Sequence, residues 1–169
     1  HKIVEEYVRR YILRLMAQAT IPALHLTLVD GFSGGGCYQT EDGGLTDGSP
    51  LLMMKAANEA RALLNIDRNI PRQVKVDYSF IDLMPDTTAY LKHWLAARME
   101  EGSISQEDFQ RATVTTGSFL NELPRLTQEI KTRKMGEHAI FVLDQYNYYD
   151  LPLSNISSIL KSMSGAEVI

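Results

Sequence analysis

Cysteine, long apolar runs and an excess of positive charge are scarce or missing in this chain of 169 residues. The single cysteine, Cys37, excludes an internal disulfide framework and is typical of a reducing compartment, so we predict a cytoplasmic protein. No apolar run approaches the roughly 18 residues of a membrane-spanning helix. A net charge of −4 gives no general attraction for nucleic acid, although a local basic patch can still exist. Without a C-x-x-C motif or paired histidines at ligand spacing, the sequence predicts no metal site.

The remaining composition is that of an ordinary globular protein, with 44% hydrophobic and 22% charged residues. The length predicts one domain, residues 1–169, that is large enough to bury a sizeable core. The chain starts at His1 and ends in Ala166-Glu167-Val168-Ile169, a run typical of a strand that is only beginning. We therefore expect a fragment of a longer polypeptide.

Apolar periodicity predicts strands that alternate with helices along the whole chain. The expected strands cover residues 24–30, 74–82, 112–116 and 139–144, and a truncated fifth follows Gly165. The expected helices cover residues 3–18, 49–64, 85–101, 121–134 and 152–163, with Ser49 and Asn121 as caps of the second and fourth. This alternation is typical of an α/β fold with a mostly parallel sheet and helices on both faces. His25 and Thr27 are unusual in a central parallel strand and need hydrogen-bond partners if they are buried.

The junction after the first strand is the most informative stretch of the sequence. An apolar run ends at Asp30, and residues 31–36 read Gly-Phe-Ser-Gly-Gly-Gly. Glycine lacks a Cβ atom, so the backbone can turn sharply there and lie against a flat ligand. The junction resembles the first motif of S-adenosylmethionine-dependent methyltransferases. A plain tight turn is an equally ordinary interpretation.

A dinucleotide site is the main alternative ligand site for this junction. It requires G-x-G-x-x-G running directly into a helix whose N-terminus holds the pyrophosphate. Gly34 and Gly36 fit the first two glycines, but the third falls on Gln39, and a polar loop over residues 37–47 follows instead of a helix. A phosphate would also meet Asp30. The sequence therefore favours a sulfonium ligand without phosphate.

Further polar residues follow the other strands, at the edge where open parallel sheets bind ligands. Asp82 ends the second strand, where a carboxylate can accept two hydrogen bonds from a ribose; a helix cap or a solvated acid is the alternative. Gly117-Ser118-Phe119 follows the third strand, where methyltransferases often place a polar side chain against the adenine amino group and an apolar one against the ring. A plain turn explains these three residues equally well.

The residues after the fourth strand resemble the acceptor motif of amino-group methyltransferases that act on nucleobases. That motif is D-P-P-Y or N-P-P-Y: the acid or amide and a rigid carbonyl bind the amine, and the aromatic ring stacks on the base. Asp144 fits the first position. Gln145 and Tyr146 replace the prolines and Asn147 replaces the aromatic residue, so the ring would have to come from Tyr146 or a neighbouring tyrosine.

Taken in order, these motifs resemble the three-Cys-motif partner family. Three stretches carry the resemblance: a leading helix that begins His1-Lys2 and contains Tyr11, the junction over residues 30–36, and Gly48-Ser49-Pro50. The family's junction is close to D-G-F-A-G-P-G and its fourth-strand motif is close to D-P-F-G. This chain therefore departs from the family at positions 33 and 35 and after Asp144. Gly-Ser-Pro is also similar to a ribosomal-RNA adenine-N6 methyltransferase family.

Family members are longer, so the resemblance implies that this chain is their N-terminal, methyltransferase-like part. It also implies a Rossmann-like class I methyltransferase fold, S-adenosylmethionine as cofactor and a three-cysteine-motif protein as partner. A nucleobase amino group, and with it a nucleic acid, is the leading acceptor. The implied cofactor-binding residues are Asp30, Phe32, Ser33, Gly34, Gly36, Asp82, Ser118 and Phe119, and the implied catalytic residues are Asp144 and Tyr146. The alternative is a catalytically inactive methyltransferase-like module that acts as a partner or binds nucleic acid.

Overall fold

The chain forms an α/β structure built on a five-stranded parallel sheet. The computed structural model describes residues 2–18, 20–133, 137–144 and 152–169. Its elements, in chain order, are α1 (Lys2–Leu15), β1 (Ala23–Asp30), β2 (Cys37–Gln39), β3 (Leu45–Asp47), α2 (Ser49–Asn65), β4 (Gln73–Asp82), α3 (Pro85–Glu100), α4 (Gln106–Gln110), β5 (Ala112–Thr116), α5 (Phe119–Lys131), β6 (His138–Val142), α6 (Leu153–Ser162) and β7 (Ala166–Val168). The predicted alternation of strands and helices and the parallel sheet are confirmed.

The strand order places β1 at the centre of the sheet. The order is β5-β4-β1-β6-β7, and every pairing in it is parallel. From β1 the chain adds β4 and β5 on one side, then crosses back and adds β6 and β7 on the other. In open parallel sheets, ligands bind beyond the carboxyl ends of the strands where the order reverses. The residues that follow β1, β4, β5 and β6 therefore share one edge, next to the reversal between β1 and β6.

Alternate residues of each strand enter two separate cores, as the two-residue period of a strand requires. Leu24, Leu26 and Leu28 of β1 cluster with buried residues of α1, α2 and α3. Val29, on the opposite face, clusters with buried residues of α5 and α6. Small residues in α2, such as Ala57, are completely buried, which allows the close packing of this helix on the sheet that its alanines predict.

Two short elements lie in connections that were predicted to be irregular. The predicted loop over residues 37–47 contains an antiparallel hairpin, in which β2 pairs with β3 from Cys37 opposite Asp47 to Gln39 opposite Leu45. The polar connection after Gly102 contains α4, whose N-terminus is capped by Ser105. Each element is too short for a periodic pattern to show in the sequence.

The predicted caps of α2 and α5 were wrong. Gly48 is the N-cap of α2, and Ser49 makes no side-chain capping bond. The helix α5 starts at Phe119 rather than after Asn121, because the amides of Asn121 and Glu122 both donate to the carbonyl of Ser118, at 3.1 and 3.2 Å. The earlier start buries Phe119 in the core and leaves Pro124 inside the helix instead of in its first turn.

Candidate functional site

The glycine-rich turn after β1 is fastened to both neighbouring strands. The Gly31 amide donates to the carbonyl of Val142 at the end of β6, at 3.0 Å, and the Ser33 amide donates to the carbonyl of Ile81 in β4, at 2.9 Å. The Ser33 hydroxyl also donates to Ile81, at 3.2 Å. The predicted junction is therefore a fixed turn over the carboxyl ends of the three central strands.

Two glycines of this turn have backbone conformations that other residues rarely adopt. Gly34 and Gly36 have φ angles of +58° and +78°. A Cβ atom on Gly36 would lie 2.5 Å from Cδ1 of Leu91 in α3, so this position has no room for a side chain. Positive φ and close approach both require glycine.

The Asp30 carboxyl group is buried at the start of α2. It is 2% exposed, and its two oxygens accept hydrogen bonds from the Ser49 hydroxyl, at 2.5 Å, and from the Phe32 amide, at 3.1 Å. Burial raises the pKa of Asp30 to about 6, against the opposing effect of these two bonds, and the nearby Asp144 and Asp82 carboxylates add to the rise. Asp30 therefore joins the turn to α2 through Ser49. The sequence did not predict this role for Ser49.

The start of α2 also lies beside the turn, although the hairpin separates them in sequence. The Gly48 amide donates to the carbonyl of Gly36 at 2.8 Å. The N-terminus of a helix attracts anions. Here the Asp30 carboxyl group lies beside the N-terminus of α2, where Ser49 donates a hydrogen bond to it. A ligand phosphate at this position would meet a negatively charged side chain.

Asp82 closes β4 and holds the turn from the other side. One carboxylate oxygen accepts a hydrogen bond from the Gly34 amide at 3.1 Å, and the other accepts one from the Met84 amide at 2.9 Å. Each carboxylate oxygen has two lone pairs, so both retain capacity for a further donor. Asp82 is partly exposed, so its carboxylate can still accept hydrogen bonds from two hydroxyl groups.

Ser118 and Phe119 follow β5 along the same edge but differ in exposure. Ser118 is partly exposed, and its side chain makes no capping bond. Phe119 is 3% exposed, with its ring centroid 6.3 Å from that of Phe32 and 6.2 Å from that of Phe141. Phe119 thus supports the turn from the core, and Phe32 is the more exposed ring of the pair.

Asp144 follows β6 and is exposed. Gln145, Tyr146 and Asn147, the remainder of the predicted acceptor motif, lie outside the described residues. In the part of the chain that the structure describes, Asp30, Asp82 and Asp144 form no ion pair with a basic side chain. Asp82 and Asp144 are accessible at this edge and have no basic partner among the described residues, whereas Asp30 is buried. Two accessible acids beside the glycine turn suit a cationic ligand.

Two aromatic residues of α3, Tyr90 and Trp94, border the turn. Tyr90 is 44% exposed; its Cδ1 lies 3.2 Å from the position of a Cβ on Gly35, and its ring stacks on Trp94 with centroids 6.3 Å apart. The Cys37 thiol lies 3.6 Å from the Tyr90 hydroxyl. The four-residue spacing of Tyr90 and Trp94 puts both rings on one helix face, which is the signal that could have identified Tyr90.

A large groove of about 750 Å³ lies elsewhere, along α1 and beside Glu167 of β7. It contains apolar side chains such as Ile3, which is 81% exposed, and Tyr7, which donates a hydrogen bond to Glu167. None of the predicted site residues lines it. We place the candidate site at the strand ends because the glycine turn and the unpaired acids converge there.

Over residues 2–18, 20–133, 137–144 and 152–169, no helix is long and apolar enough to cross a membrane. The same residues contain no group of three or more His, Cys, Asp or Glu side chains arranged to hold a metal ion.

No family model and no curated protein matches the chain. Among solved structures, the fold is similar to the crystal structure of protein LPL1258 from Legionella pneumophila str. Philadelphia 1, of family model DUF519, with a TM-score of 0.54 and 11% sequence identity. The alignment covers 98% of this chain and 65% of that one, so this chain spans less than two thirds of its structural neighbour. At this identity the similarity shows the fold alone.

Proposed function

We propose that this chain binds S-adenosylmethionine at the carboxyl edge of its sheet and forms the cofactor-binding part of a methyltransferase. The main support is the turn over residues 31–36, which forms hydrogen bonds to the ends of β4 and β6. Asp82 accepts one hydrogen bond from this turn and can accept further hydrogen bonds from a ligand. Asp82 and Asp144, which form no ion pair among the described residues, favour a sulfonium over a pyrophosphate.

The surroundings of each predicted cofactor-binding residue allow it a role in this proposal. Asp82 would accept the two ribose hydroxyls, and Phe32 and Ser118 would border the adenosyl group. Gly34 and Gly36, together with buried Ser33 and Asp30, would shape and hold the backbone of the turn. Phe119 would act from the core by supporting Phe32.

S-adenosylmethionine supplies an electrophilic methyl group, and its transfer is an in-line displacement that depends mainly on positioning. Asp144 would accept a hydrogen bond from the acceptor amine and orient its lone pair toward the methyl carbon. We propose a nucleobase amino group as the acceptor, with Tyr146 as the stacking ring. This assignment rests on the resemblance of residues 144–147 to the acceptor motif.

Calorimetry with S-adenosylmethionine and S-adenosylhomocysteine tests cofactor binding. We expect both to bind, and Asp82→Ala to weaken binding by about tenfold or more, because a hydrogen bond to a charged group is lost. Asp86→Ala is the matched control, since it removes an exposed acid from the first turn of α3. Thermal melts of both variants separate lost binding from lost folding. Absence of binding at high micromolar concentrations would overturn the proposal.

Transfer from radiolabelled S-adenosylmethionine to mixed RNA and DNA then separates the enzyme from an inactive module. An inactive module is the alternative because Gln145 and Tyr146 stand where the acceptor motif has prolines. An active enzyme should label nucleic acid, and Asp144→Ala should abolish the label while S-adenosylhomocysteine still binds. Binding without transfer would favour a module that acts with a three-cysteine-motif protein or holds nucleic acid.

A further inference from the structure

One half of the sheet face beneath α5 is polar, which is unusual for a covered parallel sheet. Strand pairing sets Thr27 of β1 beside Asp77 of β4, and Ser79 of β4 beside Thr113 of β5. Toward the carboxyl ends the same face becomes apolar and joins the core beneath α5 and α6. The polar half lies toward the amino ends of the strands, away from the glycine turn.

A cavity of about 320 Å³ lies over this polar half. Its walls include Thr27, Asp77 and Ser79 from the sheet, and Arg111 and Arg133 from the segments that flank β5 and α5. Small-molecule sites in proteins have volumes of roughly 300–1,000 Å³. The cavity is therefore at the lower end of the size range for a bound metabolite.

Three polar atoms of the cavity residues are buried without a hydrogen-bond partner among the residues that the structure describes. They are the Thr27 and Ser79 hydroxyl oxygens and Nη1 of Arg133. Thr27 and Ser79 are only 3% and 5% exposed. Buried polar groups in native proteins are nearly always hydrogen bonded, so an unpaired set in one cavity indicates a missing partner. The expected need of His25 for a partner is met by Asp77, at 2.7 Å, whereas that of Thr27 is not.

The charged groups around the cavity show which kind of partner is missing. Asp77 accepts from Arg111 at 3.0 Å and is 3.1 Å from Nη2 of Arg133, and His25 shares the same carboxylate. Arg111 also pairs with Glu107 at 3.2 Å, and the other acid of the lining, Glu129, pairs with Arg125 at 2.6 Å. Among the described residues, Arg133 therefore has no carboxylate of its own, and its Nη1 can only donate. Burial lowers the pKa of Arg133, against the opposing effect of the Asp77 and Glu129 carboxylates. The missing partner of Arg133 is a hydrogen-bond acceptor.

We propose that this cavity binds a small oxyanion, a phosphate either free or as the terminal group of a small metabolite. Nη1 of Arg133 and the hydroxyls of Thr27 and Ser79 donate to its oxygens, and Arg111 adds positive charge. The site is separate from the proposed cofactor site and does not depend on it.

Calorimetry on the full chain with inorganic phosphate and with glycerol 3-phosphate, at ionic strength held constant with chloride, tests the proposal. We expect saturable binding that Arg133→Gln weakens by about tenfold or more, because a charge-assisted bond is lost. Thr27→Val and Ser79→Ala should weaken it less while keeping the side-chain volume. Tighter binding of glycerol 3-phosphate identifies a phosphorylated metabolite, and equal affinities identify free phosphate.

Arg10→Gln is the charge-matched control, because Arg10 is on the exposed face of α1 and lines no part of this cavity. It should leave phosphate binding unchanged, as should Asp82→Ala. The proposal is overturned if phosphate does not bind at millimolar concentration, or if Arg10→Gln reduces binding as much as the cavity variants. It is also overturned if Thr27→Val and Ser79→Ala leave binding unchanged, since phosphate would then bind without the hydroxyls of this cavity.

Discussion

Asp30 connects three parts of the molecule through one buried carboxyl group. It accepts from Phe32 in the turn and from Ser49 in α2, and it lies near the acids that end β4 and β6. Removing a carboxylate from water without a cation beside it disfavours its charged form. Asp30, which the sequence predicts to bind the ligand, therefore also links the turn to α2. Its ionisation lowers the stability of the folded protein.

This cost predicts how stability changes with pH. The pKa of Asp30 is about 6 in the folded protein and close to the ordinary value of about 3.9 when unfolded. Between these values the folded state holds a proton that the unfolded state has lost, so the Asp30 contribution lowers stability as pH rises from 4 to 6. Asp30→Asn can keep both contacts if its Oδ1 accepts from the Phe32 amide and its Nδ2 donates to Ser49 Oγ, and it should raise the unfolding free energy at pH 7.5 by up to about 3 kcal/mol.

Urea denaturation between pH 4 and pH 8 checks this prediction. The gain from Asp30→Asn should shrink to about 0.5 kcal/mol near pH 4, where the wild-type carboxyl group is protonated in the folded protein and about half protonated in the unfolded one. Glu59→Gln, which alters an exposed acid in the middle of α2, serves as the control and should change stability much less. An Asp30→Asn variant with the wild-type pH dependence would show that Asp30 ionises normally in the folded protein.

Gly36 gives a second prediction at the scale of one residue. Alanine there must adopt a positive φ and place Cβ against Leu91, which is completely buried. We expect Gly36→Ala to cost about 2–4 kcal/mol, from strained backbone and overpacking together. Gly43→Ala is the control: Gly43 has a φ of +82° but no atom within 4 Å of its Cβ position, so only the backbone cost applies. Equal losses in chemical denaturation would exclude the contact with Leu91.

At the scale of elements, the long strands and helices could be predicted because their apolar periodicity repeats over enough residues. The hairpin and α4 could not, because each consists of segments of five residues or fewer and depends on distant partners. Asp108 of α4, 1% exposed, accepts two hydrogen bonds from Arg61 of α2, at 2.7 and 2.8 Å, across 47 positions of sequence. It also accepts from Tyr78 in β4, at 3.0 Å.

In the candidate site, too, features that depend on neighbouring residues could be predicted, and contacts between residues distant in sequence could not. Asp30, Asp82 and Asp144 could be placed on one edge from their positions at strand ends. The Ser49 bond to Asp30 joins residues 19 positions apart, and local sequence favoured a helix cap instead. Phe119 was predicted to face a ligand, but an aromatic residue after a strand gives no indication of whether it turns toward solvent or core.

The Asp108 cluster predicts the stability of α4. Asp108→Ala would leave the Arg61 guanidinium, largely buried, without its carboxylate, and we expect a loss of about 3–5 kcal/mol in chemical denaturation. Glu107→Ala removes the neighbouring acid, which is exposed and paired with Arg111, and should cost less than about 1 kcal/mol. Similar effects of the two substitutions would mean that the bidentate pair does not hold α4 against α2.

At the scale of the whole molecule, the sheet separates two chemically different regions. Its carboxyl edge carries acids that have no basic partner among the described residues, and the amino half of the α5 face carries arginines that share Asp77. The net charge of −4 hides this segregation. A cationic ligand and an oxyanion would therefore occupy different places and could bind together.

Hydrogen exchange across the whole chain can locate the proposed cofactor. S-adenosylhomocysteine should slow exchange over residues 31–36, 82–84 and 117–120, because their amides lie in the turn and at the strand ends that would surround it. Residues 154–162 of α6 should exchange at unchanged rates, and Asp82→Ala should remove the protection. Protection confined to α1 and residues 166–168 would instead place the ligand in the groove beside Glu167, and it would refute the assignment of the binding site to the glycine turn.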